Sequence, residues 1–246
     1  KLIDLSGKYK INSEAFQKFD FKNLYNSSLQ EISLKGDFSN EIELALINFN
    51  TKNKIVNINT KLDLSKNNIN LKELILKDDK NKIEVKNLYI KNKRFFNLDN
   101  ISIKTFKEGK YNNDFKLKYG KKIKIEGLKY DASNLTKFLD QNNESNFLKK
   151  INKEIVVNIK EISTNASEMI SNYNLIGNID KGKLSKIVSK GEFKDGKYLD
   201  ISLRVDKKSK KKILEIYSDL PKPLLSNYKF FDGLSGGQLL IFSSYN

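Results

Sequence analysis

The chain has 246 residues, 38% hydrophobic and 31% charged, which is enough apolar material to bury a core and too much for a disordered tail. Histidine and cysteine are both absent, which removes the commonest general base, the usual zinc ligands, every disulfide and every thiol nucleophile. The formal charge of +16 points to an anionic partner such as phospholipid headgroups or nucleic acid, or else only to a lysine-, asparagine- and isoleucine-rich composition of the kind an AT-rich genome produces.

The first clear element is a half-buried strand in which Ile58, Thr60, Leu62 and Leu64 share one face while Asn57, Asn59, Lys61 and Asp63 point the other way. It leads into an asparagine turn at Lys66-Asn67-Asn68. The same alternation returns at Ile83 and Val85, at Ile101 and Ile103, at Phe115, Leu117 and Tyr119, and at Ile123 and Ile125. After Asp131, an N-cap residue type, Leu135, Phe138 and Leu139 fall at helical spacing, and Phe147, Leu148 and Ile151 suggest another turn or two of helix.

Strand alternation resumes at Ile155, Val157 and Ile159. An Asp195-Gly196 turn precedes Ile201, Leu203 and Val205. Lys207, Lys208, Lys210, Lys211 and Lys212, interrupted only by Ser209, read better as a solvated hairpin loop than as a dedicated binding patch. Leu214 and Ile216 form the next strand. Pro223 then opens a helix whose stripe is Leu224, Leu225, Tyr228 and Phe231 and which Gly233 can close, before a last strand with Leu239 and Ile241.

Short alternating runs separated by Asn, Asp, Lys and Gly are the rhythm of an antiparallel meander of about fifteen strands. A long sheet with one apolar face must cover it with another sheet, with helices or with a ligand, and the helical material here is too little. The fold class expected is therefore all-β with a few short helices. The sheet is either folded over as a sandwich or barrel, or elongated, twisted and curled into an open hydrophobic gutter, whose exposed apolar face acyl chains would account for.

We read residues 1–246 as one such groove fragment. Its floor comprises Ile58, Leu62 and Leu64, then Ile83, Val85, Ile101 and Ile103, then Phe115, Leu117, Ile123 and Ile125, and finally Val157, Ile201, Leu203 and Val205. The stripe of Leu224, Leu225, Tyr228 and Phe231 would pack on the sheet as a lid or wall near one end of the groove.

The stretch from Gly191 through Glu192, Phe193, Lys194, Asp195 and Gly196 to Leu203 resembles a strand pair of AsmA-like proteins, particularly their YhdP branch. Leu214 to Asp219, the Leu224-Leu225 helix, and Phe231-Asp232-Gly233 followed by Gly236-Gly237 are similar to that family's terminal signature. Ile125 to Asp131 with Leu135, Phe138 and Leu139 is similar to its strand that ends before a short helix. The signature covers residues 120–246; upstream only the strand rhythm matches.

The resemblance implies a periplasmic groove that binds phospholipid acyl chains. It implies a protein anchored in the inner membrane of a Gram-negative bacterium by a segment not in this chain, with possible envelope protein partners, taking part in phospholipid transport towards the outer membrane. No run of about 18 apolar residues is present to span a bilayer. The chain opens on Lys1, Leu2 and Ile3 without a signal peptide, so both ends are read as cut from a longer protein.

Two other classes stay open. A TamB-like assembly scaffold would pair an exposed strand edge with a client strand. A basic nucleic-acid binder would gather its lysines on one side, but the aromatics are strand-face Phe and Tyr without clustered stacking, and no nucleic-acid partner is expected. With no phosphate loop, nucleophile elbow or close acidic pair in an apolar setting, the expectation is no enzyme, no cofactor and no metal.

Overall fold

The computed structural model describes residues 1–11, 15–52, 54–135, 151–165, 168–206, 208–225 and 236–245. The chain runs as β1 (Leu2–Tyr9), β2 (Gln17–Asn26), β3 (Leu29–Phe38), two short strands β4 (Glu43–Leu44) and β5 (Phe49–Asn50), then β6 (Val56–Ser65), β7 (Asn68–Lys77) and β8 (Lys82–Lys91). It continues as β9 (Arg94–Asn97), β10 (Asn100–Lys107), β11 (Lys110–Tyr119), β12 (Ile123–Asp131), β13 (Lys153–Ser163), β14 (Met169–Asp180) and β15 (Lys183–Glu192). Last come β16 (Tyr198–Val205), β17 (Lys212–Ser218), the helical turn α1 (Lys222–Leu225) and β18 (Leu239–Tyr245).

Sixteen strands form one open sheet in which chain order is almost spatial order, with β9 paired off the main path and β4 and β5 forming a separate two-stranded ladder. Stacked at about 4.8 Å per strand, the path is on the order of 70 Å long. The all-β gutter expected from the alternation is present, with one correction: the sheet is not wholly antiparallel. β12 and β13 pair parallel, from Ile123 beside Ile155 to Asp131 beside Ser163. Residues 132–152 lie between them, and a parallel pair needs a crossover of that order, which a tight turn cannot supply.

Strand register sorts the side chains into two faces. Leu34, Thr60, Leu74, Val85, Ile101, Leu117, Ile125, Val157, Leu175, Ser189, Ile201, Ile216 and Ile241 follow one another rung by rung as a single row across the sheet. The opposite face carries cross-strand ion pairs, among them Lys22–Asp4 at 3.0 Å, Lys72–Asp63 at 2.7 Å, Lys129–Glu161 at 3.2 Å and Arg204–Glu215 at 2.7 Å. Apart from the partly buried Asp63, these groups are exposed, and the pairs contribute little stability. Their effect is to keep that face in water, although Ile176, Val188, Leu240 and Phe242 interrupt it.

Bulges and glycines curve the sheet. Register shifts occur at Lys61/Leu62, Thr105/Phe106 and Asp114/Phe115, and each extra residue bends its strand and adds twist. Gly127 sits opposite Phe115, where any side chain would collide with that ring's strand and the Asp114 carbonyl. Gly191 likewise leaves space for Ile170 and Tyr173. A bulky residue facing a missing one lets neighbouring strands close up on the inner side.

The connections divide by flank. On one flank lie tight turns, such as Ser27–Ser28, Lys66–Asn67 and Lys181–Gly182. The last has positive φ at both positions (49° and 77°), as a hairpin turn that matches strand twist requires. The long connections 39–55 and 219–238 begin and end on the other flank, whereas 132–152 leaves from that flank and returns to the first, because β13 runs parallel to β12.

Candidate functional site

All fifteen residues assigned to the groove floor lie on the same face of the sheet. Ile58, Val85, Ile101, Ile103, Phe115, Leu117, Ile125, Val157, Ile201 and Leu203 occupy adjacent rungs. Leu62 and Leu64 meet Leu71 and Ile69, Ile123 meets Tyr119 and Ile155, and Val205 ends the face at Lys212. Most are half-buried; Ile83, Ile103, Ile123 and Leu203 are buried and Val205 is exposed. A sandwich would bury the whole set; the intermediate exposure of most of them is what rung neighbours shielding them from the side produce. Towards β1 the cover is thinner still: Ile3 and Leu5, on the same face, are 48% and 52% exposed. Beside them an apolar hollow is lined by Tyr9, Phe19, Leu34, Phe38 and Ile58.

One flank of this face is capped. Residues 39–55 cross the inner side as a chord from β3 and β6 to β12, burying Ile47 and Phe49 against Val56, Leu76, Ile83 and Ile103. Ile83 and Ile103 therefore belong to a closed cluster under the loop as well as to the face. A second cluster buries Ile159, Ile162, Ile170, Phe193 and Leu199, with Leu220 and Leu224 packed on it. Leu225 is also buried, so α1, between β17 and β18, adds to the wall on this flank. Tyr228 and Phe231, the rest of the expected stripe, lie outside the described residues, as do Phe138, Leu139, Phe147, Leu148, Gly233 and Lys207.

A buried polar network pins the loop. Asn113, with no exposed surface, donates to the Ile47 carbonyl at 2.6 Å and to Thr105 Oγ1 at 2.8 Å, and accepts from the Asp131 amide at 2.9 Å. The Asp131 carboxylate accepts from Asn48 Nδ2 at 2.8 Å, Asn112 Nδ2 at 3.2 Å and the Ser133 hydroxyl and amide. Burial opposes ionisation of Asp131, but the hydrogen bonds from Ser133, Asn112 and Asn48 outweigh it and hold the carboxyl below its usual range. The Tyr130 hydroxyl donates to the Leu46 carbonyl at 3.1 Å. Burial, with Asp131 beside it, pushes that phenol up to about 12.

Among the described residues the opposite flank carries no cap, and it is basic. Its turns present Lys66 between β6 and β7; Lys91, Lys93 and Arg94 around the β8–β9 turn; and Lys121 and Lys122 between β11 and β12. Lys153 opens β13, Lys181 and Lys183 bracket the β14–β15 turn, and Lys208, Lys210, Lys211 and Lys212 close the row between β16 and β17. Counting one strand residue on each side of every turn, the described carboxylates there are Asp99, Asp180 and Asp206. Asp206 is engaged by Ser209, and Lys122 pairs with Glu154 of β13 at 2.9 Å.

The capped flank, counted in the same way, mixes both signs almost evenly: Lys77, Lys80 and Lys82 face Asp78 and Asp79, and Lys194 and Lys197 face Glu192 and Asp195. Lys208, Lys210 and Lys211 lie in the expected hairpin loop, and Lys212 opens β17. Sequence reading weighed it alone, and missed that its neighbours along the flank are turns of the same sign. It also missed residues 39–55, whose partners Asn113 and Asp131 lie far along the chain.

No group of three metal-ligating residues occurs among the described residues, and no helix there is long and apolar enough to cross a membrane. Comparison with family models, with curated proteins and with solved structures finds no match to this chain.

Proposed function

We propose that this chain is the lipid-holding groove of an AsmA-like, bridge-like envelope protein of the YhdP branch. In this reading it lies in the periplasm, is held at the inner membrane by a segment outside this chain, and takes part in phospholipid passage towards the outer membrane. The observation that carries the reading is the largely apolar face that runs from β1 to β18, which the described residues cover only in part, along one flank. Acyl chains laid on it gain about 25 cal/mol for each Å² removed from water, with no reacting group required. The residue pattern around Gly191–Leu203 and Leu214–Leu225 supports the family assignment.

The test is a charge placed on the half-buried floor, Leu62→Glu and Leu117→Glu, away from the two closed clusters. Desolvating a carboxylate costs far more than the contact it replaces, so a folded variant, checked by circular dichroism, should lose photocrosslinking of lipid at neighbouring floor positions. A folded variant that crosslinks lipid like the wild type sinks the groove reading.

A further inference from the structure

The excess positive charge is not spread over the molecule. It collects at the turns of the uncapped flank, while the capped flank balances its lysines with carboxylates. On that flank the apolar face runs out to the turns themselves: Leu64 and Ile69 border Lys66, Ile90 and Phe95 border Lys93, and Ile123 borders Lys122. Lys66, Lys93, Lys121, Lys181, Lys208 and Lys210 are exposed and form no ion pair among the described residues.

Hairpins place one turn on this flank for every two strands, so cations recur about every 10 Å along it. That is close to the Debye length of about 8 Å at physiological salt, so each turn acts almost as a separate anion site rather than merging into one broad field.

Resting on the groove reading, we infer that this rim is a headgroup rail: it holds the phosphodiesters of anionic phospholipids whose acyl chains lie on the floor. The ligand has the chemistry of both halves, apolar chains for the face and a negative phosphate a few ångströms beyond its edge. A one-sided row of lysines also suits nucleic acid, but a nucleic acid would leave the adjoining aliphatic face of Leu64, Ile69, Ile90 and Ile123 unused, and the aromatics there, Phe95 and Tyr119, pack edge-on against each other rather than offering a row of open faces to bases.

The experiment incubates the full chain with vesicles of phosphatidylcholine alone or mixed with phosphatidylglycerol, and counts co-isolated lipid by native mass spectrometry. Three proteins are compared: the wild type, a rim variant (Lys93→Glu, Lys121→Glu, Lys181→Glu, Lys210→Glu) and a capped-flank control (Lys52→Glu, Lys110→Glu, Lys194→Glu, Lys197→Glu) with the same change in charge. The expected result is at least a fivefold wild-type preference for phosphatidylglycerol, falling to near unity in the rim variant, kept in the control, and with phosphatidylcholine uptake alike in all three. Lipid bound without headgroup preference, or with a preference that both variants lose equally, overturns the rail and leaves the groove. No lipid of either kind overturns both. A single-stranded oligonucleotide that binds through the rim and that phosphatidylglycerol does not displace overturns the rail in favour of nucleic acid.

Discussion

The two flanks of the groove are made from the ends of the same strands, yet one is walled and the other bare. On the walled flank, among shorter turns, two long connections carry Ile47 and Phe49, and Leu220 and Leu224, back over the sheet, and the first is locked by Asn113 and Asp131. On the bare flank they are mostly tight turns with lysine at the tip, too short to reach inwards. Strand alternation thus decides which face is apolar, and connection length decides how much of that face is covered. An asymmetric gutter follows without any change in the strands themselves.

The contrast is sharpest in stability. Leu199, 1% exposed within the walled cluster, should cost about 3 kcal/mol when replaced by alanine, from lost transfer energy and the cavity left behind. Leu184, beside the bare rim and 43% exposed, should cost less than about 1 kcal/mol by the same area argument. Urea denaturation of the two variants compares them directly; equal losses would mean that the bare flank is covered after all.

Asn113→Leu comes next. It keeps the volume but strands the Ile47 carbonyl and the Asp131 amide, with an expected loss of about 2–3 kcal/mol. Hydrogen exchange should quicken in residues 39–55 and stay unchanged at the Lys66 and Lys181 turns. Acceleration at those turns would show that the flanks are coupled.

A smaller effect is expected from pH. The Asp131 pKa is depressed in the folded chain, so its contribution is present above the unfolded value of about 3.9 and fades as pH falls below it. The Tyr130 pKa is raised to about 12, so its contribution is full below the unfolded value of about 10 and is lost as pH rises through 12. Loop 39–55 should therefore loosen at both extremes. Exchange rates that are flat across that range would remove the network from the account of the wall. The smallest change is expected for Lys121→Glu or Lys181→Glu, within about 0.5 kcal/mol by thermal melting, because exposed charges away from caps and cores rarely matter to folding.

Much of the sheet could be read from residues alone. Ile58 to Leu64 and Phe115 to Tyr119 announce themselves because period-two alternation is a local property. Even so, β14 and β15 passed without a clear signal: the bulge at Asn172, with positive φ, shifts the phase between Ile170 and Tyr173, Gly177 removes a side chain from the alternation, and Ile176 sits out of phase with it. The parallel pairing of β12 with β13 and the docking of Ile47 under Asn113 were not legible, because each is fixed by a partner far away in the chain. The lysine rail is a property of turns that meet only once the hairpins are stacked.

The parallel junction also has a consequence in time. Almost every other strand pairs with its sequence neighbour, so β1 to β12 and β13 to β18 can each zip up hairpin by hairpin with small loop-closure cost. Joining the two halves requires residues 132–152 to be spanned first, and a non-local closure of this kind is slow relative to hairpin formation. Refolding should therefore show two early meanders and a later seam. In pulse-labelled exchange, the amides that bridge Ile123–Asp131 and Ile155–Ser163 would gain protection after those between β6 and β7; simultaneous protection would mean that the sheet assembles as one cooperative unit.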